Sequence, residues 1–259
     1  MSLSIKDYRI CKNNFKIKNT IQISTDSVLK AIIDTNNYLD SLNQECKKLN
    51  INFFHALGQR NLSGFIGEVY KSFLDDTLKI IKMNPHPDGR PDLIFYNNIE
   101  YYNSGFKRIN EKLMPNKKFF TPYKYGGIEI KCTIGSHSIS KKEKTERNHK
   151  PFEIYESRIE FLKGITYMAH HAHNINLLGL YYDYYEDSDL CPQILTGFYS
   201  DIVEADWGRI SKPKVNTKTT SAGSISKSGI EKLKQNCLFH IRNKKYVSKF
   251  NEIGFNLNM

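Results

Sequence analysis

Two short stretches of the chain decide its fold: residues 91–96 read PDLIFY and residues 126–133 read GGIEIKCT. The first follows the turn-forming segment PHPDGRP (85–91), and both are apolar, β-prone runs, so strands are predicted over 92–97 and 126–133. Side chains alternate between the two faces of a strand. Glu129 and Lys131 are therefore expected to project from one face, while Ile128 and Ile130 enter the core.

Helical periodicity precedes these strands. Apolar residues at helical spacing predict helix over 25–58. A second helix is predicted from about residue 61, with Asn61 or Ser63 as its N-cap and with Gly64, Glu68 and Lys71 on the face opposite its apolar stripe. That stripe falls at offsets 0, 3, 4, 7, 8, 11 and 12 and consists of Leu62, Phe65, Ile66, Val69, Tyr70, Phe73 and Leu74.

The remaining segments complete an α/β pattern. Residues 98–123 are polar and aromatic and are expected to form an insertion or a long hairpin. A helix is predicted over about 153–171, and strands are predicted in NLLGLYYDY (176–184) and QILTGFYS (193–200). Ser228 and Glu231 form a capping-box pattern, so a last helix is expected to begin there and to include Ile230, Leu233, Cys237 and Leu238. The predicted fold is a mixed central β-sheet flanked by helices, in one domain over 1–259.

The positive charge is concentrated in two blocks. Residues 101–150 carry 12 basic and 4 acidic side chains, and residues 208–250 carry 11 and 1, whereas residues 151–207 carry 2 and 10. Two basic blocks are typical of a protein that faces a polyanion, because neutralised phosphates release counterions and supply affinity that does not depend on sequence. An ordinary solvated basic surface is the alternative. The charge favours nucleic acid as a partner.

Composition excludes several classes of protein. No apolar run approaches the roughly 18 to 20 residues that a membrane span needs, and the start of the chain lacks the apolar centre of a signal peptide. The five cysteines are widely spread and include no CxxC pair, which argues against a disulfide framework or a zinc site. His170, His171 and His173 are better explained as a helix end than as zinc ligands. We expect a cytoplasmic protein with no membrane and no zinc partner.

Asp92, Glu129 and Lys131 carry the predicted chemistry. Two carboxylates from neighbouring strands suit Mg²⁺, which takes a few carboxylate oxygens and keeps several waters. A lysine beside them can orient or deprotonate an attacking water, and a bound metal stabilises charge on a scissile phosphate. Asp88 repeats the Pro-Asp dipeptide four residues earlier, but it precedes Gly89 in a turn, so Asp92 is preferred.

This pattern resembles the PD-(D/E)xK nuclease superfamily, and within it the type II restriction endonucleases. The resemblance implies that Asp92, Glu129 and the Ile130 carbonyl bind Mg²⁺, with Mn²⁺ as a substitute, and that Lys131 serves the hydrolytic water. It also implies a catalytic and metal-binding role for Glu68. It covers a restriction-endonuclease-like core over 61–182 with the insertion 98–123. Residues 1–60 are then an N-terminal helical scaffold, and 183–259 hold a DNA-binding loop and helix.

The expected activity is Mg²⁺-dependent hydrolysis of double-stranded DNA at a short specific sequence. A repair or recombination nuclease of the same superfamily and a non-catalytic nucleic-acid-binding protein are the alternatives. Monomer and homodimer remain open, since a palindromic site favours a symmetric dimer but a monomer can nick the strands in turn. Basic residues in the loops 136–150 and 208–228 are expected to contact DNA: Lys141, Lys142, Lys144, Arg147, Lys150, Lys212, Lys214, Lys218 and Lys227.

Overall fold

The architecture is that of a computed structural model, which describes residues 3–17, 20–137, 145, 152, 155–169, 175–185, 191–209 and 223–259. The described helices are α1 Thr25–Lys48, α2 Phe53–Leu57, α3 Gln59–Thr77, α4 Ile99–Ser104, α5 Lys117–Phe120, α6 Lys227–Lys234 and α7 Lys244–Glu252. Single 3₁₀ turns lie at Ile5–Asp7, Ile159–Phe161 and Glu204–Asp206. Within these ranges, no helix is both long enough and apolar enough to span a bilayer.

The described strands fall into one large sheet and four small pairs. They are β1 Tyr8–Ile10, β2 Asn14–Ile17, β3 Ile21–Ser24, β4 Ile81–Met83, β5 Leu93–Phe95, β6 Phe106–Ile109, β7 Lys112–Pro115, β8 Gly127–Thr133, β9 Ser136–His137, β10 Leu162–Gly164, β11 Met168–Ala169, β12 Leu177–Tyr184, β13 Pro192–Ser200, β14 Gly223–Ser224 and β15 Cys237–Ile241. The large sheet has the order β1-β15-β13-β12-β8-β5-β4. Only β8 and β12 pair in parallel; the other neighbours in this sheet are antiparallel. The predicted α/β class with a mixed central sheet is confirmed.

Helices cover both faces of this sheet. Successive residues of β12 point to opposite faces: the Tyr182 hydroxyl is 2.9 Å from the Ser63 hydroxyl of α3, and the Tyr181 ring is 5.1 Å from the Phe250 ring of α7. Every residue of β12 and β13 is buried. These two central strands read as nearly continuous apolar runs because both of their faces are covered.

The apolar stripe of α3 is confirmed, and its start is corrected. Leu62, Ile66, Tyr70 and Leu74 are fully buried. The helix begins at Gln59, so neither Asn61 nor Ser63 is its N-cap. Gly58 takes that position with a φ of 73°, a left-handed conformation that glycine adopts without strain and that redirects the chain from α2 into α3.

The helix predicted over 153–171 is wrong for the part of that segment that the structure describes. Between residues 155 and 169 the chain forms one 3₁₀ turn and the short strands β10 and β11. Its buried side chains, Ile159, Leu162, Ile165, Tyr167 and Ala169, are spaced by three and then by two residues. Gly164 and the β-branched or aromatic residues that follow it favour extended backbone over helix.

The two ends of the chain also differ from expectation. The last predicted helix exists as α6, but its N-cap is Ser226, whose side chain accepts from the Gly229 N–H. Cys237 and Leu238 belong to β15 instead, and α7 was not predicted. The helix predicted over 25–58 is confirmed as α1 and α2. Strands β1 to β3 were not predicted, and β1 pairs with β15 at the edge of the central sheet.

The insertion 98–123 contains the hairpin that its sequence suggested. Strands β6 and β7 form a separate two-stranded sheet between α4 and α5. Asn110 and Glu111 join them with φ angles of 47° and 65°. Two central residues with positive φ match the right-handed twist of a two-residue hairpin turn.

Candidate active site

Asp92 lies at the junction of two neighbouring strands. It immediately precedes β5, which pairs with β8 through Leu93 and Ile128. Its Oδ2 accepts a hydrogen bond of 2.8 Å from the Ile130 N–H. The carboxylate is therefore held against the middle of β8, between the two polar residues Glu129 and Lys131.

Glu129 and Lys131 share a face of β8, as strand alternation requires. Lys131 Nζ lies 2.6 Å from Glu129 Oε1. The Glu129 side chain is only 4% exposed, and its neighbour Ile130 is buried in the core. Asp92, Glu129 and Lys131 are thus brought together around β8 and β5.

Lys71 is a member of this cluster that the sequence reasoning placed on the solvated face of α3. Its Nζ lies 3.2 Å from Asp92 Oδ1 and 2.6 Å from Glu68 Oε1. The side chain is only 12% exposed. The spacing of Glu68 and Lys71 at i and i+3 puts them on one side of the helix, and that spacing was the signal that could have identified Lys71.

Glu68 lies at the outer edge of the cluster. Its side chain is 66% exposed, yet it lines the same cleft as Asp92 and Lys131. It reaches Asp92 through the Lys71 ammonium and does not point away from it. Gly64, one turn earlier in α3, also lines this cleft, and a Cβ built on it would meet no atom within 4 Å.

Burial and charge perturb the ionisable groups strongly. Burial, and then the nearby charge of Asp92, raise the pKa of Glu129, while Lys131 offsets part of this rise. Burial alone would lower the pKa of Lys131, but the charges of Glu129 and Asp92 outweigh it and hold that pKa above its ordinary value. Lys71 behaves in the same way, because Asp92 and Glu68 raise its pKa against the effect of burial. Both lysines therefore remain ammonium groups beside carboxylates.

The cluster lies in a cleft of about 690 Å³. α3 forms one wall, β8 forms the floor, and Thr166, Tyr167 and Met168 form part of the rim. A second cleft of about 410 Å³, bordered by the turn around His86 and Gly89, also contains Glu68, Lys71 and Asp92. The Lys71–Asp92 pair therefore lies where the two clefts adjoin, and a substrate in either one reaches it.

Asp88, the other candidate aspartate, lies outside the cluster. Its carboxylate is 2.7 Å from Lys117 Nζ, and both side chains are exposed. The backbone N–H of Asp88 donates to His86 Nδ1 within the turn. Asp92 is the residue of the two that faces Lys71 and Ile130.

The donors around β8 suit Mg²⁺. Within the described ranges, no three or more His, Cys, Asp or Glu side chains are grouped closely enough to hold a metal by themselves. Mg²⁺ does not need such a cage, because it is usually held by one or two carboxylates and keeps several waters. Asp92 and the buried Glu129 supply two carboxylates whose mutual repulsion a cation would relieve. His170, His171 and His173 lie outside the described residues.

Most of the basic residues expected to contact DNA also lie outside the described residues. These are Lys141, Lys142, Lys144, Arg147, Lys150, Lys212, Lys214 and Lys218. Lys227 is described and is exposed in the first turn of α6. The described chain stops before the first basic segment at His137 of β9 and resumes after the second at Gly223 of β14. β14 pairs with β11 through Ser224 and Met168, so it adjoins the cleft rim.

Comparisons with known proteins identify no relative. No protein-family model, no curated protein and no solved structure matches this chain. The chemical argument for its function therefore depends on the residues and geometry of the cleft.

Proposed function

We propose that this protein is a Mg²⁺-dependent endonuclease of the type II restriction class, which hydrolyses phosphodiester bonds of double-stranded DNA at a short specific sequence. One observation carries the proposal: Asp92, Glu129 and Lys131 converge at the junction of β5 and β8, in the largest described cleft. Two carboxylates and a lysine at one site are the groups that metal-assisted phosphodiester hydrolysis needs.

Asp92, Glu129 and the Ile130 carbonyl would hold Mg²⁺, with Mn²⁺ as a substitute. The bound ion would lower the pKa of a coordinated water and stabilise negative charge on the scissile phosphate. Because Glu129 and Asp92 raise its pKa, Lys131 is an ammonium in the resting site. In that form it donates hydrogen bonds to the attacking water or to a phosphate oxygen and stabilises the charge that develops there.

The topology supports this assignment in part. β5 and β8 are adjacent and antiparallel, β8 and β12 are parallel, and α3 packs beside β8 and β4. This is the helix, strand, strand arrangement expected of a restriction-endonuclease-like core. The expected helix between β8 and β12 is replaced by short strands in the described residues, so we propose this core with a modified crossover.

Charge supports DNA as the substrate. The basic segments 101–150 and 208–250 include the two stretches that leave the described chain at β9 and return at β14, next to the cleft rim. Cations around the cleft would bind the phosphates on either side of the bond to be cut. All five cysteines are free thiols, in keeping with a reducing compartment, and we propose a cytoplasmic protein.

A plasmid-cleavage assay tests the proposal. Supercoiled plasmids of several sequences are incubated with the protein with and without Mg²⁺. Discrete bands that require Mg²⁺ are expected; a smear would indicate a non-specific repair-type nuclease, and binding without cleavage would indicate a non-catalytic nucleic-acid-binding protein. Asp92→Asn should abolish cutting, whereas the matched variant Asp88→Asn, in the same segment but outside the cluster, should cut like the parent.

A further inference from the structure

The hairpin β6–β7, residues 106–115, stands apart from the central sheet. It forms its own two-stranded sheet, and all of its residues except Phe106 and Pro115 are exposed. Neither strand has a second neighbour in the described sheets. We call this element the ribbon.

The base of the ribbon is fixed by an aromatic cluster. Phe106 packs 5.3 Å from the rings of Tyr102 and Phe120, and the Asn116 N–H donates to the Gly105 carbonyl at 2.9 Å. The ribbon is therefore attached to α4 and α5 through packed rings, which resist bending better than a flexible linker.

The same cluster is tied to the active site. The Arg90 N–H donates to the Phe120 carbonyl and the Tyr123 N–H donates to the Arg90 carbonyl, at 2.9 and 3.0 Å. Arg90 is two residues before Asp92. The ribbon also leaves the chain between β5 and β8, the two strands that carry the site. Its position relative to Asp92 is thus set by short, hydrogen-bonded connections.

One face of the ribbon combines cations with apolar side chains. The register pairs Lys107 with Met114 and Ile109 with Lys112, so these four project to the same side. Ile109 and Met114 are 56% and 47% exposed. On the other face, near the turn, Arg108 pairs with Leu113, which is 64% exposed.

These features point to a partner that is both anionic and partly apolar. The ribbon carries three basic residues and one acidic residue, Glu111, at its turn. The major groove of duplex DNA is wide enough for a two-stranded ribbon, is bordered by phosphates, and exposes thymine methyl groups on its floor. Lysines along the ribbon match the phosphates, and Ile109, Leu113 and Met114 match the apolar base edges.

We infer that the ribbon inserts into the major groove of the DNA duplex that occupies the active-site cleft and reads base edges there. This inference rests on the proposed nuclease function. It also revises the expectation that polar residues of the insertion 98–123 read the bases, because the exposed tip is basic and apolar.

The test uses the full-length Glu129→Gln variant, to prevent cleavage, and two 30-base-pair duplexes of the same sequence. One duplex is unmodified, and in the other glucosylated 5-hydroxymethylcytosine fills the major groove. The unmodified duplex should bind at least about tenfold more tightly. Adding Lys107→Ala, Arg108→Ala and Lys112→Ala should weaken binding to the unmodified duplex about tenfold or more and remove the preference, with a salt slope smaller by roughly 0.9 per lost phosphate contact.

The matched control replaces three lysines of α7: Lys244→Ala, Lys245→Ala and Lys249→Ala. These residues line neither cleft, so this triple variant should keep the preference between the duplexes. Ile109→Ser with Met114→Ser keeps every charge and should change the set of plasmid sites cut without changing the salt slope. All substituted ribbon positions are exposed, so circular dichroism should be unchanged.

Three results would overturn the inference. Equal affinity of the parent background for both duplexes would place DNA contact outside the major groove. A parent that cuts plasmid while the ribbon variant binds like the control would leave the nuclease function intact and exclude the ribbon. A dimer that becomes a monomer on ribbon substitution, with DNA affinity unchanged, would identify the ribbon as an interface between copies. A parent that neither binds nor cuts DNA would instead remove the proposed function and the inference together.

Discussion

The ammonium nitrogen of Lys71 lies 3.2 Å from Oδ1 of Asp92. Asp92 therefore contacts a cation from α3 with one oxygen and the Ile130 N–H with the other. Lys131 neutralises Glu129 in the same way on the neighbouring strand. Each carboxylate proposed to bind Mg²⁺ thus has its own lysine, and the two lysines can be separated by mutation.

Removing a proposed metal-binding carboxylate or the strand lysine should stop chemistry without releasing DNA. Asp92→Ala and Lys131→Ala are expected to lower the single-turnover cleavage rate by about 100-fold or more, because these groups act on the scissile phosphate. DNA affinity, measured by fluorescence anisotropy, should change only a few-fold. Lost binding with unchanged cleavage at saturating enzyme would contradict the assignment.

Lys71→Met should strengthen the binding of Mg²⁺ in the absence of DNA. Removing a positive charge 3.2 Å from Asp92 leaves that carboxylate without its cation, so a divalent ion binds it at a lower cost. We expect a dissociation constant roughly tenfold lower by isothermal titration calorimetry, since one nearby unit charge is worth a few kcal/mol at most in a partly exposed site. Lys48→Met, at an exposed ion pair with Glu45 on α1, is the matched control and should leave the constant unchanged.

Glu68→Gln should have a milder effect than any change at Asp92. Glu68 is exposed and contacts Asp92 only through Lys71, so catalysis by the remaining residues should survive with a cleavage rate lowered by roughly tenfold or less. The rate at saturating Mg²⁺ checks this. A loss as large as that of Asp92→Ala would show that Glu68 binds the metal directly when DNA is present.

Asp183 should make part of the folding stability depend on pH. Burial raises its pKa from 3.8 to about 6, although hydrogen bonds from Ser157, Arg158 N–H, Tyr184 N–H and Tyr246 oppose this rise. The folded state then binds the proton more tightly than the unfolded state. This contribution is therefore fully present below about pH 4 and is lost as the pH rises to about 6, with a size on the order of 3 kcal/mol.

Urea unfolding of the parent and of Asp183→Asn at pH 4.5 and pH 6.5 measures this contribution. The variant should be less stable at both values, because an amide oxygen cannot accept from all four donors. The parent should lose more stability than the variant between pH 4.5 and 6.5. Asp76→Asn, at an exposed position of α3, is the control and should follow the parent. Parallel pH profiles for the parent and Asp183→Asn would contradict the prediction.

Local patterns were sufficient for the elements that carry the candidate site. The stripe from Leu62 to Leu74 identified α3, and the apolar runs around Leu93 and Ile128 identified β5 and β8, because burial on one side imposes a regular period. Alternation along β8 also placed Glu129 and Lys131 on one face. Patterns failed between residues 155 and 169, where Ile159, Leu162 and Ile165 have helical spacing but pack as a 3₁₀ turn and short strands. Pairing with β9 and β14, distant in sequence, decides that conformation.

The sequence by itself determined the α/β class, the strands β5 and β8, and the shared face of Glu129 and Lys131, because these depend on periods of two or 3.6 residues within one segment. The tertiary structure alone decided that Lys71 contacts Asp92, that β1 and β15 close one edge of the sheet, and that the ribbon is anchored two residues from Asp92. Each of these depends on residues brought together from distant positions. Such contacts are selected by the packing of the whole core, which no local period encodes.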